Sequence, residues 1–143
     1  MKSILVVCIG NICRSPMAQG LLADALPGMQ VRSAGLGALV GMPADPTAVR
    51  LMQDRGIDIS EHRALQLTRQ MCLDSEIVLV MDTEQRQNVE ELYPQSKGRV
   101  FRLGEFSKRD IPDPYRKSEA AFRASFSLID ESVRDWIERI KRL

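Results

Sequence analysis

The chain has 143 residues, 44% hydrophobic and 27% charged, which fits one globular domain with a single core. Its 20 basic and 19 acidic residues give a formal net charge of +1, so no global field favours nucleic acid or an anionic membrane as the main partner. Three cysteines do not make the dense, even set of a secreted disulfide framework. No stretch reaches the roughly 20 apolar residues that cross a bilayer. We therefore predict a cytoplasmic protein without direct membrane insertion.

Predicted strands and helices alternate along the chain. The continuously apolar run Ile4–Cys8 is typical of a central parallel strand that is buried on both faces. Helical spacing follows, with Pro16 in the first turn and Pro27-Gly28 as the stop. The remaining predictions are a strand at 31–34, a loop at 35–45, a helix at 46–55, a strand at 77–81, a helix from 83 to Pro94, a strand at 100–103 and a helix at 118–141.

This alternation predicts an α/β fold: a doubly wound four-stranded parallel sheet with helices on both faces, in a single domain spanning residues 1–143. The last helix carries an apolar stripe that we expect in the core: Phe122, Phe126, Ile129, Val133, Trp136, Ile137 and Ile140. Cys72, on a helical segment, is also expected in the core. Ligands of such sheets bind outside the carboxyl ends of the strands, and the first strand ends at Cys8.

The segment after that strand carries the candidate binding and catalytic residues. Their order is Cys8, Ile9, Gly10, Asn11, Ile12, Cys13, Arg14 and Ser15. Backbone N–H groups of residues 9–15 can converge on a phosphate, and the next helix adds its positive end. Arg14 can offer two parallel N–H donors to phosphate oxygens. The same donors favour the thiolate of Cys8, which makes it a candidate nucleophile. A buried structural cysteine and a surface arginine are the alternative interpretation.

Three residues of this segment are predicted to have supporting roles. Gly10 permits close approach of the backbone, Ser15 can donate its hydroxyl to the sulfur of Cys8, and Asn11 can fix the loop through its amide.

The segment lacks the Gly-Lys-Ser/Thr ending of a Walker loop, which argues against nucleoside triphosphates. A single histidine and the spacing of Cys8 and Cys13 argue against a zinc site, and we expect no metal and no cofactor.

The pattern Cys-x-Gly-Asn-x-Cys-Arg-Ser, together with Asp113-Pro114-Tyr115 late in the chain, resembles the low-molecular-weight protein-tyrosine phosphatases. The resemblance implies that Cys8 is the nucleophile, that Arg14 clamps the phosphate and that Asp113 is the general acid. One carboxyl group can then serve both halves of a reaction that passes through a phosphocysteine. A simple surface turn is the alternative interpretation of the Asp113 segment.

The same resemblance implies roles for residues outside the loop. His62 would support the phosphate loop through Asn11. Cys13 would form a reversible disulfide with Cys8 that protects the nucleophile, although a small buried side chain explains Cys13 equally well. Leu36 and Leu39 would form the wall opposite Tyr115.

Aliphatic residues on that wall, and Arg116 directly after Tyr115, resemble the bacterial family members encoded with exopolysaccharide machinery. The implied partner is a phosphotyrosine protein, the tail of a membrane tyrosine autokinase. Arg116 and Lys117 are candidate contacts for such an acidic tail. We expect a monomer or a weak dimer.

Two other functions remain open at this point. Arsenate reductases use the same opening loop, but the thioredoxin-coupled type needs two further cysteines, and only Cys72 lies beyond the loop. A non-catalytic phosphotyrosine-binding module would keep the pocket, but it would have no use for the general acid Asp113.

Overall fold

Four parallel strands form the centre of the computed structural model, which describes all residues from Met1 to Leu143. The strands are β1 (Ser3–Cys8), β2 (Gln30–Gly35), β3 (Ile77–Val80) and β4 (Val100–Arg102), in the order β2-β1-β3-β4. The helices are α1 (Arg14–Ala25), α2 (Pro46–Gln53), α3 (Arg69–Asp74), α4 (Thr83–Leu92) and α5 (Glu119–Lys141), with a 3₁₀ turn at Pro94–Ser96. The predicted doubly wound α/β fold is confirmed.

Alternate side chains of β1 enter two separate cores, one on each face of the sheet. Ile4, Val6 and Cys8 belong to the larger core, which α1, α2 and α5 cover. Leu5 and Val7 belong to the smaller core, to which α3 and α4 contribute. Because both faces are covered, the strand is a continuous apolar run, as its sequence indicated.

The apolar stripe of α5 packs in the larger core, as predicted. Five of its residues are buried, and Phe126 and Ile137 pack partly buried against them. Ser118 lies just before the helix and accepts a hydrogen bond from the Ala121 N–H at 3.2 Å. The predicted start was therefore one residue early, because Ser118 is the N-cap and not the first helical residue.

Other boundaries shift by a residue or two. Strands β3 and β4 each end one residue before the predicted position, and α2 ends at Gln53 because the chain turns into Gly56, whose φ is +74°. The 3₁₀ turn at Pro94–Ser96 lies where only a helix stop was predicted.

The strand order places a crevice next to Cys8. From β1 the chain crosses to β2 on one side, whereas β3 pairs with β1 on the other side. The segments that follow β1 and β3 therefore separate at the carboxyl edge of the sheet, where ligands of this fold class bind. No helix in the molecule combines the length and apolar character required to cross a membrane.

Candidate active site

The loop between β1 and α1 turns its carbonyl groups outward and its N–H groups inward. The carbonyls of residues 9, 10 and 12 accept hydrogen bonds from the N–H groups of Gly37, Leu39 and Asp45 at 2.8–3.1 Å. None of the N–H groups of residues 9–13 donates to a carbonyl or side chain. They are free to converge on one point, and the first turn of α1, which contains no acidic residue, adds its positive end. These are the N–H groups that the sequence analysis predicts will bind phosphate.

The sulfur of Cys8 lies at the start of this loop, where it meets one hydroxyl group. Cys8 Sγ is 2.9 Å from Ser15 Oγ, and both residues are buried. The amide nitrogen of Asn11 donates to the same hydroxyl at 2.7 Å. Since Ser15 Oγ accepts from Asn11, its own proton is available to the sulfur. A thiolate at Cys8 would therefore receive a hydrogen bond that the loop itself orients.

Asn11 is the residue that holds the loop in shape. Its φ of +59° is left-handed, a conformation that asparagine tolerates better than most residues. Besides Ser15, its amide nitrogen donates to Ser33 Oγ at 3.0 Å, and its amide oxygen accepts from the Leu65 N–H at 2.9 Å. Ser33 in turn donates to Gln19 Oε1 at 2.6 Å. The fully buried Asn11 side chain thus has every hydrogen bond fixed by the fold.

His62 supports the loop from behind, against the backbone of Asn11. Its Nε2 lies 2.6 Å from the Asn11 carbonyl oxygen, so this nitrogen must carry a proton and donate. Burial lowers the pKa of His62 below its usual value, and the charge of Arg63 lowers it further, while the bond to Asn11 acts in the opposite direction. The ring is therefore neutral at neutral pH, and the structure shows the contact between His62 and Asn11 that the resemblance implied.

Arg14 is the buried positive charge of the site, not a surface residue. Its Nη1 donates to the Ile111 carbonyl at 2.8 Å and lies 3.8 Å from Asp82 Oδ2, while Nη2 lies 3.6 Å from Asp113 Oδ2. Only 3% of its side chain is exposed. These contacts fix the plane of the guanidinium group at the edge of the loop.

Asp113 lies on the rim, on the segment that precedes α5. Pro112 and Pro114 flank it, and the Tyr115 N–H donates to its Oδ1 at 3.1 Å. Ser125 of α5 donates to the Pro112 carbonyl at 2.8 Å, which ties this segment to the helix. Nearly half of the Asp113 side chain is exposed. The carboxyl group can therefore meet both a bound group and water.

A pocket opens above the loop, and the predicted wall residues Leu39 and Tyr115 both line it. Its lining residues are Cys8, Ile9, Gly10, Ile12, Cys13, Arg14, Gly37, Leu39, Asp113 and Tyr115. The predicted wall residue Leu36 is wrong, because its side chain packs against the smaller core. Ile9 and Ile12, whose backbone N–H groups are predicted to bind phosphate, also line the pocket.

The wall at Leu39 is held close to the loop by the backbone. The Leu36, Gly37 and Leu39 N–H groups donate to the carbonyls of residues 8, 9 and 10 at 2.9–3.1 Å. A Cβ on Gly35 would lie 2.3 Å from the Ile9 carbonyl oxygen, so only glycine allows this approach. At Gly10 the φ angle is not left-handed, and a Cβ would meet Ile12 and Leu39 at 3.8 Å. These are ordinary van der Waals distances, so neither φ nor space requires glycine at position 10.

All three cysteines are free thiols in buried positions. Burial raises the pKa of Cys13 far above its usual value, and the charge of Asp45 and the neighbouring Cys8 raise it further. Burial also raises the pKa of Cys72 to about 11, and this residue lies in the smaller core as predicted. No cluster of three or more histidine, cysteine or acidic side chains could hold a metal ion.

Three contributors to the site escaped the sequence analysis: Ser33, Gln19 and Asp82. Ser33 and Gln19 extend the hydrogen-bond network of Asn11, and a serine in a strand or a glutamine in a helix gives no signal by itself. The position of Asp82 in the sequence did carry a signal. It follows β3 at the carboxyl edge of the sheet, where polar residues of this fold class meet ligands, and it also caps α4 through the Gln85 N–H at 2.8 Å.

Comparison with known proteins finds relatives along nearly the whole chain. The model of the family described as low molecular weight phosphotyrosine protein phosphatase matches residues 3–143. The chain is 54% identical over 143 residues to EpsP of Ralstonia nicotianae, named as a probable low molecular weight protein-tyrosine-phosphatase, with 100% of this chain and 99% of the relative covered.

Two solved structures are also similar to this chain, one of them a complex with benzylphosphonate and the other an arginine phosphatase. Wzb of Vibrio vulnificus in complex with benzylphosphonate has a TM-score of 0.93 and 36% identity, with 96% of this chain and 98% of the other covered. The YwlE arginine phosphatase of Geobacillus stearothermophilus also has a TM-score of 0.93, at 32% identity, with 99% and 94% covered.

Proposed function

This chain belongs to the low molecular weight phosphotyrosine protein phosphatases, and from that premise we propose that it hydrolyses phosphotyrosine in proteins through a phosphocysteine at Cys8. One observation carries the mechanism. The sulfur of Cys8 receives the Ser15 hydroxyl at 2.9 Å, at the start of a loop whose N–H groups are free, in a pocket that also contains Arg14 and Asp113. A nucleophile, an anion-binding loop and a proton donor thus share one cavity.

In the first step, the Cys8 thiolate attacks phosphorus and the bond to the tyrosyl oxygen breaks. Arg14 and the N–H groups of the loop hold the three remaining phosphoryl oxygens, whose charge they offset in the transition state. Asp113 gives its proton to the departing oxygen, so the product leaves as a neutral phenol. Ser15 stabilises the thiolate before the attack.

In the second step, water attacks the phosphorus of the phosphocysteine and the sulfur–phosphorus bond breaks. The Asp113 carboxylate takes a proton from that water, phosphate forms, and the thiolate of Cys8 is restored. Asp113 is suited to both steps because its side chain is half exposed, so that it can meet both the departing oxygen and the attacking water.

The intermediate can be trapped directly. After rapid mixing with para-nitrophenyl phosphate and quenching in acid, we expect intact-mass analysis to find one phosphoryl group, and peptide mapping to place it on Cys8. The Cys72→Ser variant, altered only in the smaller core, should still carry the group, whereas Cys8→Ala, which has no nucleophile at this position, should not. A label at any other residue would contradict the mechanism.

The partner that we propose is the phosphotyrosine-bearing tail of a bacterial tyrosine autokinase that serves exopolysaccharide synthesis. We propose that the two proteins interact in the cytoplasm. Support comes from the resemblance to exopolysaccharide-associated members and from relatives named EpsP and Wzb. On the rim, the Arg116 guanidinium carbon lies 5.2 Å from the centre of the Tyr115 ring, and neither Arg116 nor Lys117 forms an ion pair. Both charges are available to an acidic tail.

Phosphoarginine is a second candidate substrate, which the likeness to YwlE raises. The pocket favours an aromatic ring, because Ile9, Ile12, Leu39 and Tyr115 line it and Asp113 is its single carboxylate. We expect matched peptides to show a higher kcat/KM for phosphotyrosine than for phosphoarginine. The reverse order would replace the proposed substrate.

Arsenate reduction fits the structure poorly. Cys72, the third cysteine, is fully buried in the smaller core and cannot hand a disulfide to an external reductase from that position. We expect no arsenate-dependent oxidation of thioredoxin in a coupled assay, and steady oxidation would contradict this conclusion.

A further inference from the structure

Exposed apolar side chains are concentrated around the mouth of the pocket. Of the eleven large hydrophobic residues that are exposed, six lie on the pocket wall or on the segments that carry it: Ile9, Leu39, Val40, Met42, Leu65 and Tyr115. The other five are scattered along the chain, and two of them are the terminal residues. Scattered exposed apolar residues need no explanation, but a contiguous group marks a surface that meets something.

Four of these residues form what we call the apolar ridge: Leu39, Val40, Met42 and Leu65. Val40 is the most exposed of them, at 67%. Leu39 connects the ridge to the pocket, because it lines the pocket and is also exposed at its surface. Leu65 follows Ala64, whose backbone pairs with residues 41 and 42, and its own N–H donates to Asn11 Oδ1 at 2.9 Å. The ridge therefore continues outward from the substrate pocket.

The backbone holds the ridge in place. Residues 39–42 form a tight turn in which the Met42 N–H donates to the Leu39 carbonyl at 3.0 Å, and Gly41 supplies the positive φ of +84°. Ala64 pairs with both sides of this turn, accepting from the Gly41 N–H and donating to the Met42 carbonyl, each at 2.9 Å. A valine at the tip of a turn so fixed is presented to solvent without the freedom to fold back.

The charged groups around the pocket lie on other sides. Arg116 and Lys117 follow Tyr115 in the chain, and a cleft beside Asp113 is lined by Asp82 and Asp110. Arg63, the charged residue closest to the ridge in sequence, donates to the carbonyls of Ser60 and His62. Residues 33–44, the stretch that carries Leu39, Val40 and Met42, contain no charged residue.

We propose that the apolar ridge is a specificity site that binds aliphatic residues next to the phosphotyrosine of the protein substrate. The inference rests on the proposed function. A phosphotyrosyl side chain that reaches Cys8 must bring its neighbouring residues across the rim, since the peptide backbone stays outside the pocket. Aliphatic neighbours that pack against Val40 and Met42 remove apolar surface from water, which favours binding. Polar neighbours contribute no such favourable free energy. Substrates with aliphatic flanking residues are therefore preferred.

The test compares two phosphotyrosine peptides that differ only in the residues on either side of the phosphotyrosine, leucine in one and serine in the other. Each kcat/KM is divided by that for para-nitrophenyl phosphate on the same protein, which removes any change in the pocket itself. The unmodified protein should favour the leucine peptide by about tenfold, mostly through KM. The double variant Val40→Ser, Met42→Ser should lose this preference.

Leu92→Ser is the matched control, because Leu92 is 59% exposed at the end of α4 and lies outside the pocket. It should keep the preference in full. Equal values for the two peptides on the unmodified protein, or a preference that survives in the double variant, would overturn the inference while leaving the proposed function intact. Hydrolysis of neither peptide would overturn the proposed function and this inference together.

Self-association is the competing use of such a surface, and sedimentation equilibrium on the same proteins separates it. A dimer of the unmodified protein that the double variant abolishes would assign the ridge to a second copy of the chain and would overturn the inference. An unchanged state of association, combined with the lost preference, supports it.

Discussion

The floor of the pocket, residues 8–15, and its rim, residues 39–42 and 113–117, enclose the same space but are held in different ways. In the floor, Asn11 and Ser15 are fully buried, and side-chain hydrogen bonds to distant segments fix them. On the rim, Asp113 and Tyr115 are exposed over 47% and 37% of their surfaces, and backbone contacts and two prolines position them.

Because of this difference, we expect substitutions in the two regions to have different effects on stability and on activity. A substitution in the floor should affect folding together with chemistry, because it leaves buried polar groups without partners. A substitution on the rim should alter the rate or the choice of substrate while the free energy of unfolding hardly changes. Each prediction below tests whether the two regions divide in this way.

Cys8→Ser should have the largest effect. The hydroxyl of serine is a far weaker nucleophile than a thiolate, so hydrolysis of para-nitrophenyl phosphate should fall to the background of the assay. Inorganic phosphate should still bind, because Arg14 and the N–H groups of the loop are unchanged, and isothermal titration calorimetry can measure this. Residual turnover at the level of the unmodified protein would remove Cys8 from the mechanism.

Asp113→Ala should lower kcat for aryl phosphates by about 10² to 10⁴-fold. The loss should be greater for phenyl phosphate than for para-nitrophenyl phosphate, because the nitrophenolate leaves with less need of a proton. Thermal melting should show little change, since the side chain is half exposed. Equal losses for the two substrates would argue against proton donation. A large drop in Tm would mean that Asp113 contributes to folding stability, as the residues of the floor do.

Asn11→Ala should destabilise the fold by about 2–4 kcal/mol, measured by urea denaturation, because Ser15, Ser33 and the Leu65 N–H all lose a buried partner. Activity should fall as well, since Ser15 is no longer oriented toward Cys8. Asn11→Gly removes the same hydrogen bonds but suits the φ of +59°, so it should be less destabilising by roughly 1 kcal/mol. A neutral alanine variant would contradict the account of the floor.

How far the sequence could predict these regions follows from how each is built. Residues 8–15 are contiguous, so the pattern of Cys8, Asn11, Arg14 and Ser15 is visible in the sequence and was placed correctly by the strand before it and the helix after it. The four strands and the stripe of α5 were predictable for a similar reason, since burial imposes a local periodicity on them.

The parts that could not be predicted depend on contacts between distant segments. Ser33 joins the floor only because β2 pairs with β1, and nothing in its own neighbourhood shows this. Leu36 was placed on the wrong side because the chain turns its side chain into the smaller core just after β2, while Leu39 reaches the pocket. In loops, side-chain direction is set by backbone contacts such as those of Leu36 and Gly37 with the floor, which leave no periodic signal.

His62 should produce the smallest effect, and a pH dependence reveals it. In the unfolded chain this histidine takes up a proton near its usual pKa of about 6.5, whereas burial lowers the pKa in the folded protein. The unfolded state therefore binds more protons between the two values. The stabilising contribution of the neutral ring is complete above the unfolded pKa and is lost as pH falls through the folded one.

The control is His62→Gln, whose amide can still donate to the Asn11 carbonyl but does not titrate. Urea midpoints measured at about pH 7.5 and pH 5.5 should fall more in the unmodified protein than in the variant, because the other titrating groups are common to both. Equal falls would show that His62 does not link protonation to the stability of the floor. A larger fall in the variant would mean that protonation strengthens the bond to Asn11 by more than burial opposes it.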